Sequence, residues 1–438
     1  MKPSRKSSPS FHGWGFHLSG THLLAVAIVL VACAVRALTL WHYGLGLSLH
    51  SDDTGYTDSA IRLLETGMLT YHEPNLPTVH MMPGISLLLA AVFACFGWHA
   101  VGLYAAKSVM ILVGSAGVCA AYLLGREIWG PWAGLVGAGL SAIYPSLVLT
   151  DTLLLTEPPF EASFLFLLFF SVRHARTRSW SAFWGMVASY LVALMFRPTV
   201  ALFPIVILLY HGVKRVPLRM LATRAALFGM IVVVVLSPWW IRNGLDFHRF
   251  IPLTEGSGDP LLLGTYQGHG FPQRPTYDEV IHQLKVEHPD WNSHTLPIYE
   301  EAVAKERLSE WWRTNPTSLL VSYLWQKPIR LWQDTFYWIT IWKIPKSLLQ
   351  TWQPRLLIGG LAGLLGGLIV GISRRWELGF ILATLAYYTV LYSIYFAFGR
   401  YSEPLLPIVF VGVGIALSWA GSALAFLLRL RRTKLRWD

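Results

Sequence analysis

Ten mostly apolar runs of spanning length recur along this chain, separated by short punctuated segments, and no feature constrains the fold more. They lie at about residues 21–44, 100–125, 132–150, 158–172, 181–196, 198–213, 222–241, 355–373, 378–399 and 404–428, against roughly 20 residues needed to cross a bilayer as a helix. A lipid-embedded backbone must satisfy its own polar groups, so such runs fold as helices. Hydrophobic residues make up 54% of the chain and charged residues 13%. An ordinary soluble domain carries roughly 25% charged residues, so a water-soluble globule is excluded. Disorder needs the opposite balance and is excluded as well. The expected fold class is an all-α multi-pass membrane protein.

The net charge of +11 raises nucleic acid as a partner, but the distribution of the basic residues argues against it. They sit in patches between apolar runs, which is a topology signal. Ten spans place both termini on the cytoplasmic side with Lys2, Arg5, Lys6, Arg126, Arg173, Arg176, Arg178, Lys214, Arg215, Arg219, Arg224, Arg374, Arg375 and the tail from Arg429 to Arg436. Those are 18 basic residues against three acids, Glu127, Glu377 and Asp438. A further apolar run, Pro83 to Gly97, is short and would invert everything after it if counted, so it is expected as an interfacial or re-entrant helix. The run from Thr21 is too long for a signal peptide and reads as a retained first span. Cys33, Cys95 and Cys119 have no spacing that suggests a disulfide framework or a zinc site.

This layout divides the chain into a cytoplasmic segment at 1–20, a seven-span module at 21–241 with a first outer loop at 45–99, a large outer segment at 242–354, and three spans with a basic tail at 355–438. The inner loops are short, so a functional site is expected to face outward. No internal repeat of the kind found in inverted-repeat transporters is present. In the large outer segment, loop punctuation is expected at Gly256-Ser257-Gly258-Asp259-Pro260 and at Gly268-His269-Gly270, and a helix from about Pro297 to Asn315. Its many tryptophans read as an interfacial belt before they read as sugar-stacking groups.

Two acidic points stand out. Asp52-Asp53 follows the first span and opens a helical pattern that ends at Gly67; with Ser51, these residues either cap that helix or supply a general base. Asp151 and Glu157 flank the turn after the third run, with Glu161 one turn further, and membrane-edge ionisables are functional candidates by default. Cations gather on the same side: Arg36, Lys107, Arg197, Arg242 and Arg400, the last followed by Tyr401. Each alone reads as a snorkeller. Together, beside acids, they argue for an anionic ligand at membrane depth, such as a phosphate on a lipid, which guanidinium groups pair bidentately. Outer histidines at 50, 72, 80, 269, 282, 288 and 294 leave room for a divalent metal, though no HExxH-type spacing is present; no cofactor is otherwise implied.

In order along the chain stand Asp52-Asp53 with Tyr56 and Ala60, Gly67, the proline approach Pro74, Pro77 and Pro83-Gly84, and Tyr122 to Arg126. Then come Thr156-Glu157, Arg197-Pro198, Pro238-Trp239 with Arg242-Asn243, and Arg400-Tyr401 with Pro404 and Pro407. This pattern resembles the bacterial branch of the dolichyl-phosphate-mannose protein mannosyltransferase family, GT-C-fold glycosyltransferases whose relatives add aminoarabinose to lipid A. The likeness runs up to Asn243 and resumes at the last two spans, leaving residues 244–354 without a matching motif. It implies a cell-membrane enzyme that takes a sugar from a polyprenyl-phosphate donor and delivers it, with inversion, to a lipid, glycan or protein acceptor on the outer face.

By the same resemblance Asp52 is the expected catalytic base, and Asp53 stands where many members have Glu. Glu157 or Asp151 fills the second acidic position, and Lys107, Arg197, Arg242, Arg400 and Tyr401 hold the donor phosphate. A glycan polymerase or ligase shares this chemistry. A lipid-phosphate flippase is the rival from another class, but it needs a charged path through the inner halves of the spans, and the sequence offers none. A purely structural membrane protein would leave the outer acids unexplained.

Overall fold

The computed structural model describes residues 20–269 and 271–434, with side chains through Gly421. Lys2, Arg5, Lys6, Gly270, Arg436 and Asp438 lie outside the described residues, and the side chains of the tail from Arg429 to Lys434 are likewise not described. The secondary structure of the described residues is helical. In chain order the helices are α1 (Gly20–Tyr43), α2 (Asp52–Thr66), α3 (Gly84–Phe96), α4 (Ala100–Ile128), α5 (Pro131–Ile143), α6 (Pro145–Thr150), α7 (Glu157–Thr177), α8 (Trp180–Phe196), α9 (Phe203–Val213) and α10 (Leu218–Phe247). There follow α11 (Gly258–Thr265), α12 (Tyr277–Glu287), α13 (Leu296–Thr314), α14 (Pro316–Val321), α15 (Lys327–Gln333), α16 (Lys346–Val370), α17 (Arg375–Ile394), α18 (Gly399–Ser402) and α19 (Leu406–Lys434).

The ten apolar runs are largely helical, with non-helical breaks such as Tyr144 within 132–150 and residues 395–398 within 378–399. Six helices among the described residues are long and apolar enough to cross a membrane by length and composition, and shorter apolar helices occur at Gly84–Phe96, Pro131–Ile143, Trp180–Phe196 and Pro198–Val213. Helix α10 shows what solvent the bundle needs. Only 11% of its most apolar stretch is buried within the protein, and Met230, Val233 and Val234 face outward. An apolar surface of that extent is stable only against lipid, so the protein is an integral membrane protein.

Local chemistry accounts for where elements stop. The run expected at 132–150 is broken into α5 and α6 because Tyr144, which precedes Pro145, is extended at ψ 118°; a proline disfavours the helical region for the residue before it. Helix α2 ends on Gly67, whose φ of 72° lies in the left-handed region that glycine enters without a steric penalty. In place of the loop expected at 256–260, Gly258 opens α11, with Asp259 in its first turn. The helix expected at 297–315 is α13.

Small residues set the closest crossings. A Cβ on Gly363 of α16 would stand 1.9 Å from the Gly412 oxygen of α19, so these two backbones touch, as membrane helices do where side chains are minimal. Within the first loop α2 and α3 pack on α4 around Tyr56, Ala60, Ile85, Leu89 and Met110, forming a shelf at one end of the bundle. Helices α11, α12 and α13 build a small core of their own around Leu262, Val280, Leu284 and Ala304. This outer unit is tied to the bundle by reciprocal hydrogen bonds between the Gln267 side chain and the Ala397 backbone, 2.9 and 2.8 Å.

At the other end, Glu377 of α17 accepts from Arg176 at 3.2 Å and Lys214 at 2.9 Å, while Glu127 pairs with Arg176 at 3.0 Å. This network joins α4, α7, α17 and the end of α9.

Candidate active site

Helix starts and turns from distant parts of the sequence meet beside the α2–α3 shelf. Helix α2 begins with Asp52, α7 begins with Glu157, Arg197 follows α8, and Arg400 lies in the one-turn helix α18. Helix N-termini favour carboxylates, since their free N–H groups carry partial positive charge. Arg400 bridges the two acids. Its Nη1 donates to Asp52 Oδ2 at 2.6 Å, its Nη2 donates to Glu157 Oε2 at 3.3 Å, and its Nε donates to Glu157 Oε1. Arg197 holds Glu157 from the other side, with Nη2 donating to Oε1 at 2.5 Å and Nε to Thr156 Oγ1 at 3.3 Å.

The four charges cancel, which lets so many ionised groups share a low-dielectric setting. They differ in access. The Glu157 side chain is 2% exposed and that of Asp52 is 33% exposed, so Asp52 is the carboxylate that an entering molecule reaches.

Aromatic rings complete the surroundings. The Arg197 guanidinium lies 5.9 Å from the Tyr401 ring centroid and 5.6 Å from that of Phe160, and Arg400 lies 5.3 Å from Phe336. Tyr71 donates its hydroxyl to Asp52 Oδ1 at 3.0 Å and stacks on Tyr56 and on His80, both with centroids 5.5 Å apart. Burial, followed by Tyr56 and Asp52, raises the Tyr71 phenol well above its ordinary value, so this group stays a donor to Asp52 at any physiological pH. Burial and then the neighbouring His72 lower His80 to about 4, and burial also lowers His72. Both imidazoles are therefore neutral beside the site.

Among the expected site residues, Asp52, Glu157, Arg197, Arg400 and Tyr401 converge. The other four are engaged elsewhere. Asp53 is buried and accepts from Ser48 Oγ at 2.7 Å, Leu49 N at 2.9 Å and Ser51 N at 3.2 Å. It ties down the strand of loop leading into α2, whereas the Ser51 side chain forms no cap on that helix. Asp151 is 1% exposed and paired with Arg36 at 2.6 Å, and Arg36 also donates to Ala32 O, Ala142 O and Ser141 O. Arg36 is therefore a helix-packing cation, held away from the Asp52 vestibule.

Lys107 donates its Nζ to Leu47 O at 2.5 Å. Arg242 pins the first loop through Thr78 O at 2.7 Å and Leu69 O at 3.3 Å, and pairs with Asp246 at 2.8 Å. Tyr71 escaped the sequence reading because it lies in a motif-free loop, and only the fold brings it to Asp52. Among the described residues no three His, Cys, Asp or Glu side chains are grouped so as to hold a metal; His294, for one, contacts Pro77 O at 2.6 Å.

Residues 77–241 match the family model of dolichyl-phosphate-mannose-protein mannosyltransferases. No curated protein matches the sequence. The archaeal oligosaccharyltransferase AglB of Archaeoglobus fulgidus, solved with an inhibitory peptide and a dolichol-phosphate, superposes with a TM-score of 0.58 at 12% identity, covering 94% of this chain and 52% of that one. The apo form of the Archaeoglobus fulgidus oligosaccharyltransferase superposes with the same TM-score at 14% identity, covering 96% of this chain and 52% of that one. ArnT of Cupriavidus metallidurans bound to undecaprenyl phosphate gives a TM-score of 0.43 at 14% identity, over 91% and 78% of the two chains. The chain spans about half the length of the archaeal enzymes it matches. Residues 77–241, which match the mannosyltransferase family model, thus lie within a fold that the chain shares over nearly its whole length with the archaeal oligosaccharyltransferase.

Proposed function

We propose that the protein is a membrane glycosyltransferase that moves a sugar from a polyprenyl-phosphate-linked donor to a lipid, glycan or protein acceptor on the outer face of a bacterial cell membrane. The observation that carries the reading is Asp52: a reachable carboxylate held by Arg400 and Tyr71, one guanidinium away from the buried Glu157–Arg197 pair. Family segment and fold support the same chemistry. Among solved relatives of this fold, the archaeal oligosaccharyltransferase is described in complex with a dolichol-phosphate.

In the proposed reaction the acceptor hydroxyl or amine gives its proton to Asp52 as its oxygen or nitrogen bonds to the anomeric carbon, and the bond from that carbon to the phosphate oxygen breaks. Attack opposite the leaving group inverts the anomeric centre. The electron pair leaves with the polyprenyl phosphate, whose charge Arg400 and Arg197 stabilise. Phosphate is a good leaving group, so one carboxylate suffices, unlike the pair needed in glycoside hydrolysis. A donor phosphate also competes for Arg400, which frees an oxygen of Asp52 for the acceptor. Glu157 orients both arginines. Asp53, Asp151, Lys107 and Arg242 act through the fold.

The charge pattern supports termini on the cytoplasmic side, a site on the extracytoplasmic side, and division into the segments 1–20, 21–241, 242–354 and 355–438. The test is sugar transfer by purified, lipid-reconstituted protein offered a panel of polyprenyl-phosphate sugars and acceptors. Acceptor-dependent release of polyprenyl phosphate, lost in folded Asp52→Asn, is the expected result. Movement of labelled lipid between leaflets with no donor consumed would replace the transferase with a flippase.

A further inference from the structure

At the end of the bundle opposite Asp52 and Glu157, helices α7 to α10 enclose a cavity of about 160 Å³ lined by Phe183, Met186, Ile207 and Phe228 on its apolar walls and by His174, His211 and Arg224. His174 lies on the same helix as Glu157, about 25 Å further along at 1.5 Å per residue, so this cavity is separate from the candidate active site.

Its polar wall carries positive charge with no acid to answer it. Arg224 is 7% exposed, and among the described residues no carboxylate pairs with it. Its guanidinium lies 4.6 Å from the Trp180 ring centroid, and its Nη2 donates to Arg178 O at 2.8 Å. Its Nη1 approaches His174 Nε2 closely. A guanidinium only donates, so His174 Nε2 is the acceptor and the proton of that neutral ring sits on Nδ1. The Nδ1–H is buried, has no hydrogen-bond partner among the described residues, and belongs to a residue that is 2% exposed. Next to it, His211 contacts Ser171 O through Nε2 at 3.1 Å; a carbonyl only accepts, so this nitrogen donates. The polar edge of the cavity is therefore the Arg224 guanidinium, a cation with no carboxylate partner among the described residues, and such a cation suits an anion.

The rest of the cavity suits a hydrocarbon. It opens between helices whose Leu208, Trp184 and Leu218 face outward, and Arg178, Arg215 and Arg219 stand on the adjoining turns and helix ends. Basic residues clustered where helices leave the bilayer attract anionic headgroups. We infer that this cavity binds one anionic phospholipid, a phosphodiester oxygen accepting from Arg224 at its polar edge and part of one acyl chain entering past Leu208 to fill the apolar walls. Charge complementarity selects the anionic class: a choline headgroup would add a cation beside Arg224 and its basic neighbours. Guanidinium suits phosphodiester oxygens by the shape of its donor fork.

Native mass spectrometry of the full chain released from detergent tests this without any assay of sugar transfer. The protein is titrated with dioleoylphosphatidylglycerol, dioleoylphosphatidylcholine and inorganic phosphate. One phosphatidylglycerol is expected per chain, with at least tenfold preference over phosphatidylcholine. Arg224→Gln is expected to weaken it at least tenfold, about 1.4 kcal/mol. Leu208→Trp, which fills the lipid-facing mouth and leaves Arg224 in place, should weaken it as well. Equal retention of the two phospholipids by the wild type would overturn the proposal. So would inorganic phosphate binding as well as the lipid, which would mark a free-anion site. Unchanged binding in Leu208→Trp overturns it too, whether or not Arg224→Gln folds.

Discussion

Neutralising the two carboxylates one at a time separates chemistry from scaffolding at the Arg400 bridge. In Glu157→Gln, Arg197 and Arg400, each 9% exposed, lose the charge that both contact. Removing one partner of a buried pair costs about 3–5 kcal/mol because the remaining charge stays desolvated, and here Asp52 still answers one of the two arginines, so about 3 kcal/mol is expected. In Asp52→Asn the buried Glu157 still holds both arginines. The lost pair is one-third exposed on the acid side, so its loss costs about 1 kcal/mol, with a few tenths more from the charge at the start of α2.

Activity should rank the other way. Loss of a general base lowers turnover by roughly 100- to 10,000-fold, and this should appear in Asp52→Asn at nearly unchanged donor affinity. Thermal unfolding in detergent and acceptor-dependent donor consumption, measured on the same preparations, give both quantities. The reasoning fails if Asp52→Asn keeps turnover within about fivefold of wild type, or if it destabilises the protein as much as Glu157→Gln does.

Three further expectations concern residues away from the reacting groups. Asp53→Asn removes the charged acceptor for Ser48, Leu49 and Ser51 and should cost about 2 kcal/mol, while activity per folded molecule, followed by the same donor assay, changes by only a few fold. Gly363→Ala forces a methyl toward the Gly412 oxygen and should destabilise by about 1–3 kcal/mol through overpacking, seen as a lower unfolding midpoint with the turnover of the folded fraction unaltered. Burial, and then the carboxylate of Asp259, raise Glu300 to about 7 from an ordinary 4.5. The folded state therefore holds this proton more tightly than the unfolded chain. The associated stability is complete below about pH 4.5 and is lost as pH rises through about 7. Glu300→Gln should accordingly gain stability over wild type at pH 8 and not at pH 4, and an equal effect at both would refute the assignment.

The membrane class, the helices and their approximate limits follow from local information, because a 20-residue apolar run has one way to satisfy its backbone in lipid. Tyr144-Pro145 shows the limit of that logic: the hydropathy of 132–150 is continuous, and only the backbone consequence of Pro145 divides it. The turn at Asp52 and the sequence Arg400-Tyr401 were legible as motifs. Sequence order alone already set acids and arginines at helix ends, where the free ends of the backbone and the membrane edge favour them.

Which of those charges work together was decided by tertiary structure. Arg400 meets an acid 348 positions away, and no spacing rule reaches that far. Asp53 and Asp151 look as functional as Asp52 and Glu157 in the sequence, yet one is consumed by three neighbouring loop donors and the other by Arg36. Lys107 and Arg242 spend their donors on backbone carbonyls of the first loop. A charged side chain becomes part of a site or part of the scaffold according to which partner the packed helices bring within about 3 Å of it, and that pairing exists only once the whole bundle has closed.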